Sequence, residues 1–432
     1  MGADVTCGRS RARLQGGRGP ASAGPADSRG GRPSTRPFFV LLLATLLLPT
    51  PVVSARPADD TPDALRAQAY DLAYNLDYAQ AIAVLERAAA RWPDSPQIYR
   101  SLATMAWLEI LFARGSVTID DYLGPMSRQH VAFKPPPAAL SSQFLAYVDR
   151  ATTLAGKRLA SRPGDLDALY ELGAAVGLRG SYIATVEGRM LSAVRTTLRA
   201  YEAHEEVLKA DPRRVEAGLV VGTYQYIIAN LSWPLRWMAR VVGFSASRER
   251  GLALLEAAAG PTSDARIEAW FGLLIIYTRE RRFGEAYGVV RELMARYPRN
   301  RLLWLNAASV ALLDGRAADA LRDIDAGFAN LEADRRPRVE GERALWFYKR
   351  GAIRLAMNRV APADEDLRAA LRADGRDWIR GRARIELGRI ALRRGDAAAT
   401  RSEWLAALQL CERDNDPIGA AQARALLKTL PG

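Results

Sequence analysis

From residue 62 onward the apolar side chains return every three or four positions, in short stretches ended by Gly, Pro, Asp or Asn. This is the rhythm of amphipathic helices joined by tight turns, and no alternating apolar–polar run predicts a strand. The rhythm itself repeats. Residues 267–300 place Trp270, Leu273, Tyr277, Phe283, Ala286, Val290 and Pro298, and the next stretch returns Trp304, Ala307, Ala308, Gly315, Ala320, Ile324 and Gly327. Trp270 to Trp304 and Ala286 to Ala320 share one spacing, 34 residues. An earlier unit carries Leu65, Ala69, Leu72, Tyr78, Ala81, Leu85, Ala88 and Pro93, with Tyr99, Leu102 and Ala103 opening the helix that follows. Two later units are marked by Phe347, Gly351, Ala363, Leu367 and Ala370, then by Leu387, Gly388, Gly395, Trp404 and Ala407, with Thr400 where Ala is expected. Small residues such as Ala286 and Ala320 let the two helices of a unit cross closely, and the tryptophans fill the space between units. One unit cannot bury both its faces, so the units stack. The expectation is an all-α chain, a helix-turn-helix solenoid wound as an αα superhelix, capped by a helix near Ile418–Leu430.

This period and these positions resemble the tetratricopeptide repeat, TPR. A further run, Leu172-Gly173, Ala203-His204-Glu205, Asp211-Pro212, Gly222 with Tyr224 and Tyr226, Gly243-Phe244, Arg248 to Leu252 and Leu255-Glu256, resembles a group of exported bacterial TPR proteins. It is more loosely similar to eukaryotic TPR proteins linked to inclusion-body clearance and lipid droplets, and to the T component of TRAP transporters. These resemblances imply a non-enzymatic helical adaptor or, for the last, a periplasmic component holding an apolar ligand.

Five segments are expected: 1–55, 56–113 with N-terminal TPR-like units, a Pro-rich loop insertion over 114–142, a divergent helical-repeat segment over 143–260, and a C-terminal array with its cap over 261–432. The insertion contains Gly124-Pro125, Pro135-Pro136-Pro137, Tyr122, His130, Phe133 and Lys134. Loops this long inside a repeat array are functional or serve as solvated connectors, and both readings stand: it lies across the groove of the array, or it only connects.

The first 55 residues have a different character. A segment rich in Gly, Pro, Ser and Arg is followed by eleven apolar or near-apolar residues, Phe38–Leu48, then Pro49 and Pro51, then Val53-Ser54-Ala55. A basic region, a short apolar core and small residues at the exit are the marks of a secretory signal, with cleavage expected after Ala55 and a periplasmic or cell-envelope destination. The chain carries 61 basic and 48 acidic residues. Losing the seven Arg and two Asp of residues 1–55 leaves 54 and 46, net +8. Because the remaining charges alternate in sign, they read as solvated helix faces and not as a nucleic-acid surface.

Residues 217–235 carry no charge. Their Thr, Gln, Asn, Pro and Gly content favours a buried helix (Leu219, Gly222, Tyr226) and a Pro-broken loop over a membrane span. Beyond it, Trp233, Trp237, Val241 and Phe244 share one helical face, and Arg236 and Arg240 another. That face suits a membrane interface or the packing of a long connection.

Candidate chemistry is sparse. Two histidines, His130 and His204, and two cysteines, Cys7 and Cys411, are too few for a zinc site or a disulfide framework. Gly156-Lys157 lacks a phosphate loop's other residues, Gly243 to Ser247 lacks a nucleophile elbow's second Gly, and His204-Glu205 lacks a second His four residues on. No catalytic residue, cofactor or metal is expected. The positions used by repeat domains to clamp a carboxylate fall on Phe271, Ile275, Asn306, Leu345 and Lys349, of which only Asn306 and Lys349 suit that task. The expectation is therefore an apolar groove lined by Phe271, Ile275, Leu305 and Leu345, with Asn306 and Lys349 beside it, holding a peptide, a helix or an apolar ligand. The function expected is that of a non-enzymatic binding scaffold of the cell envelope with a protein or peptide partner. The alternatives are a periplasmic ligand-holding accessory of a transporter, or a peripheral membrane scaffold using Trp233, Trp237 and Phe244.

Overall fold

The computed structural model describes residues 61–115, 118–123, 135–231, 233, 236–237 and 246–430. The expected signal with its exit at Ala55, and His130, Phe133, Lys134, Arg240, Val241 and Phe244, lie outside the described residues. Arg56–Gly432 forms one compact unit. Among the described residues there are seventeen α-helices and no strand.

In chain order the helices are α1 (Pro62–Tyr74), α2 (Tyr78–Arg91), α3 (Pro96–Ala113), α4 (Ala138–Ser161), α5 (Leu166–Thr185), α6 (Met190–Ala210), α7 (Gly218–Ala229), α8 (Arg248–Ala258), α9 (Arg266–Arg279), α10 (Phe283–Arg296), α11 (Arg301–Leu313), α12 (Ala317–Ala333), α13 (Glu342–Ala356), α14 (Val360–Arg372), α15 (Asp377–Arg393), α16 (Ala397–Arg413) and α17 (Pro417–Leu427). Short 3-10 turns occupy Ile119–Asp121 and Val215–Ala217. Polar side chains start several helices by accepting an orphan backbone N–H: Thr61 from Ala64, Asp165 from Ala168, Ser247 from Arg250 and Asp396 from Ala399. Gly315 and Gly395, both at φ +76°, end α11 and α15 in the left-handed conformation.

Consecutive helices pack side by side, and the first helices of successive units also touch: α1 with α3, α3 with α5, α11 with α13, and α13 with α15. This is the TPR-like solenoid that the spacing predicts. Ala286, Ala320, Ala363 and Ala407 are fully buried, as close helix crossing requires. A Cβ on Gly327 would stand 2.4 Å from Trp304 Cβ and 2.5 Å from Trp346 Cη2, so that glycine is the room the two indoles need. Within the uncharged segment, Gly218–Ala229 forms α7, with Val221, Gly222, Gln225 and Tyr226 buried. Gly222 and Gly251 let α7 and α8 meet backbone to backbone, since a Cβ on Gly251 would lie 2.7 Å from the Tyr226 nitrogen. No described helix is long and apolar enough to cross a membrane.

The first unit does not stand at a free end. Tyr74 packs against Phe271 and Tyr297, with ring centroids 5.4 and 5.2 Å apart. The Asn300 amide donates to the Tyr74 carbonyl at 2.8 Å, and the Arg299 backbone N–H donates to Asn75 Oδ1 at 3.1 Å. Arg336 reaches the Asn75 carbonyl and pairs with Asp77 at 3.0 Å, and Arg299 pairs with the same carboxylate at 2.6 Å. Leu302 and Val339 pack into the apolar core of the first unit. The turn joining α1 to α2 is thereby latched to the turns that precede α11 and α13.

Candidate functional site

The helices α9, α11, α13 and α15 are the first helices of four successive units. Each carries a polar or charged residue toward one short segment of the insertion, Thr118–Leu123. Its backbone turns because Asp121 Oδ2 accepts the Thr118 hydroxyl at 2.9 Å and the Thr118 N–H at 3.3 Å, which closes the 3-10 turn. Ile119 is then driven inward, 2% exposed, into the apolar cluster that includes Leu273, Tyr277 and Val310. Its N–H donates to Asn306 Oδ1 at 3.0 Å.

Asp120 points into the array. Its Oδ1 lies 2.6 Å from Lys349 Nζ and 3.8 Å from an Arg382 nitrogen, and Ser309 Oγ donates to its Oδ2 at 3.3 Å. Asp120, Asn306, Ser309, Lys349 and Arg382 are all buried. Asp121 faces Arg376 at 3.7 Å. At the other end of the turn, Arg279 donates to the Tyr122 carbonyl at 2.5 Å. The five residues Thr118–Tyr122 are thus held as a bound peptide would be, by one apolar anchor, two carboxylates and two backbone contacts.

The basic residues are aimed from behind. Asp416 holds Arg382 through two bonds of 2.7 and 2.8 Å, and Arg382 lies over the Trp378 ring at 4.8 Å. Asp414 pairs with Arg376 at 3.0 Å and accepts the Trp378 N–H. Burial works against the Arg382 charge, yet Asp416, with Tyr348 and Asp120, holds its pKa above the ordinary guanidinium value. Burial pushes the Asp121 carboxyl up to about 6, against the pull of Arg376 and the Thr118 hydroxyl. With the segment seated, Lys349, Arg376 and Arg382 face Asp120, Asp121, Asp414 and Asp416. Without it, Lys349 would lose its salt bridge to Asp120.

This corrects the expected apolar groove. Leu305 is 0% and Leu345 7% exposed, and both belong to the interhelical core. Phe271 is half-buried with its ring 5.4 Å from that of Tyr74, and Ile275, also half-buried, packs against the cluster that receives Ile119. Asn306 and Lys349, which alone suited a carboxylate clamp, do hold an acidic segment, and it comes from the chain itself. Ser309, Arg376 and Arg382 complete the set and carry no repeat signature in the sequence. The Ile119-Asp120-Asp121 run inside a Pro-rich loop was the available signal.

Elsewhere, Trp233 and Trp237 are 70% and 57% exposed and Arg236 is exposed, so the two indoles do not serve as core packing. A shallow open recess bordered by Arg338, Arg343, Arg372 and Asp374 has a charged rim. His204 is fully buried; its Nδ1 donates to the Ala200 carbonyl at 2.7 Å and burial lowers its pKa to about 4. Cys411 is fully buried and burial pushes its thiol up to about 12. Among the described residues no group of three or more His, Cys, Asp or Glu is placed to hold a metal ion.

No protein-family model and no curated protein matches the sequence. Among solved structures the chain is similar to yeast Tom70, with a TM-score of 0.38 and 11% identity over 85% of this chain and 89% of that one. A tetratricopeptide repeat protein from Parabacteroides merdae gives a TM-score of 0.31 and 16% identity over 76% of this chain and 98% of that one. The anaphase-promoting-complex assembly Cut9–Hcn1 gives 0.31 and 14% over 85% and 78%.

Proposed function

We propose that this chain is a protein-binding scaffold of the cell envelope, without a catalytic role, whose array receives a short segment of another protein. The observation that carries this reading is the seating of Thr118–Tyr122: side chains from the first helices of four units grip a short 3-10 turn through its backbone as well as its side chains. Backbone contacts supply affinity, and the charged and apolar anchors supply selectivity. The basic, apolar and small-residue pattern of residues 1–55 supports export. Two experiments test the reading. Alkaline phosphatase fused after residue 60 is active if the chain is exported and inactive if it is not. A photo-crosslinking residue in place of Tyr122, at the rim of the site, yields a discrete protein adduct in cells. Adducts to lipid alone, or no adduct, would contradict the scaffold reading.

The exposure of Trp233 and Trp237 favours a second reading, in which the same scaffold rests on a membrane surface. Flotation with anionic liposomes that is lost on Trp237→Ala supports it. Flotation that is absent, or unchanged in that variant, removes it.

A further inference from the structure

The seated segment is held by unusual means for a permanent part of a fold. Its contacts with α11, α13 and α15 are ionic or hydrogen-bonded, with Ile119 its one deeply buried apolar anchor. A buried ion pair is weak evidence for stability, because desolvation offsets the attraction. Asp121 Oδ1 makes no hydrogen bond although it is buried. Two cations of the floor beneath are also held from outside the segment, since Asp416 pairs with Arg382 and Asp414 with Arg376. A floor with its cations already oriented, and with Lys349 dependent on Asp120 for its ion pair, is a receptor for a carboxylate-bearing chain.

The geometry points to Thr118–Leu123 being an exchangeable internal ligand: the partner segment is an acidic peptide with an apolar residue followed directly by two carboxylates, and it binds by displacing this stretch from Asn306, Ser309, Lys349, Arg376 and Arg382. This rests on reading the array as a protein-binding scaffold and adds the chemistry of what it binds. A free partner pays to displace the tethered copy, so binding is weak in the resting chain and strong wherever the internal copy is impaired.

The test uses the full chain and a labelled hexapeptide of sequence Thr118–Leu123, read by fluorescence anisotropy. The D120A/D121A variant should bind it at least tenfold more tightly than the unaltered chain. A hexapeptide with Asn in place of both Asp should bind that variant at least tenfold more weakly, and adding Lys349→Glu should abolish binding. In the unaltered chain, excess hexapeptide should speed amide exchange over 118–123 and leave α11 and α13 protected. A D120A/D121A chain that keeps its helical circular dichroism but shows no saturable binding overturns the proposal. So does a D120A/D121A chain that loses its helical signal, or exchange over 118–123 that rises only together with α11 and α13, because the segment is then a strut. These failures concern exchange alone and leave the crosslinking test of the scaffold reading standing.

Discussion

Lys349 Nζ and Asp120 Oδ1 lie 2.6 Å apart although the residues are 229 positions apart in the chain. Both side chains are less than a tenth exposed. Removing one member leaves the other charged and buried, so Lys349→Met is expected to cost about 3–5 kcal/mol in urea unfolding at neutral pH. Replacing both, as Lys349→Met with Asp120→Leu, should recover more than half of that loss. A double-mutant cycle with no coupling between the two positions would contradict the observed pairing.

Two buried groups drive stability in opposite directions between pH 4 and 6.5. His204 is neutral when folded and takes a proton only near pH 4, whereas its unfolded form does so near 6.5. The unfolded chain gains protons first as pH falls, so His204 withdraws about 3 kcal/mol of stability across that window. Asp121 behaves oppositely: its folded carboxyl protonates near pH 6, before the unfolded one, so it adds stability over the same descent. Asp121→Asn should therefore steepen the loss on acidification, and His204→Leu should flatten it. Unfolding curves at pH 7, 6, 5 and 4 for both variants check the signs.

Glycines in the array differ in kind. Gly327→Ala forces a Cβ into Trp304 and Trp346 and should cost about 1–3 kcal/mol. Gly272→Ala, within α9 and with nothing within 4 Å of the added carbon, should stabilise by about 0.5–1 kcal/mol through helix propensity. Thermal melts of the two variants should move in opposite directions.

Arg336→Ala removes the bonds to Asn75, Asp77 and the Arg299 carbonyl in one step. The side chain is about a quarter exposed, so the expected cost is moderate, about 2 kcal/mol. Limited proteolysis should then cut first between α1 and α2. Cutting elsewhere with unchanged kinetics would show that the latch is not held by this residue.

The helical units were legible in the sequence because their signal is local. Trp270 and Trp304, or Ala286 and Ala320, announce a unit within one repeat length. The stretch over 114–142 stands out in the sequence as a departure from that period, but where its Thr118–Leu123 portion packs was not legible. Ile119 and Asp120 find partners at Asn306, Ser309 and Lys349, which no local pattern links to them. The period likewise identifies the face of α11 and α13 on which Leu305 and Leu345 lie, but it carries no information about whether that face is open. Trp233 and Trp237 fit two readings from sequence because an apolar stripe looks the same whether it meets core or solvent.

A string of repeats bonded only to their neighbours can fray from either terminus, one unit at a time. Here Tyr74, Asn75 and Asp77 are bonded to residues more than two hundred positions onward. Shedding α1 and α2 therefore also uncovers the middle of the chain, which couples their loss to that of α10–α13. Such sequence-distant closure slows folding, and it makes the amino-terminal hairpin one of the last elements to become secure during synthesis.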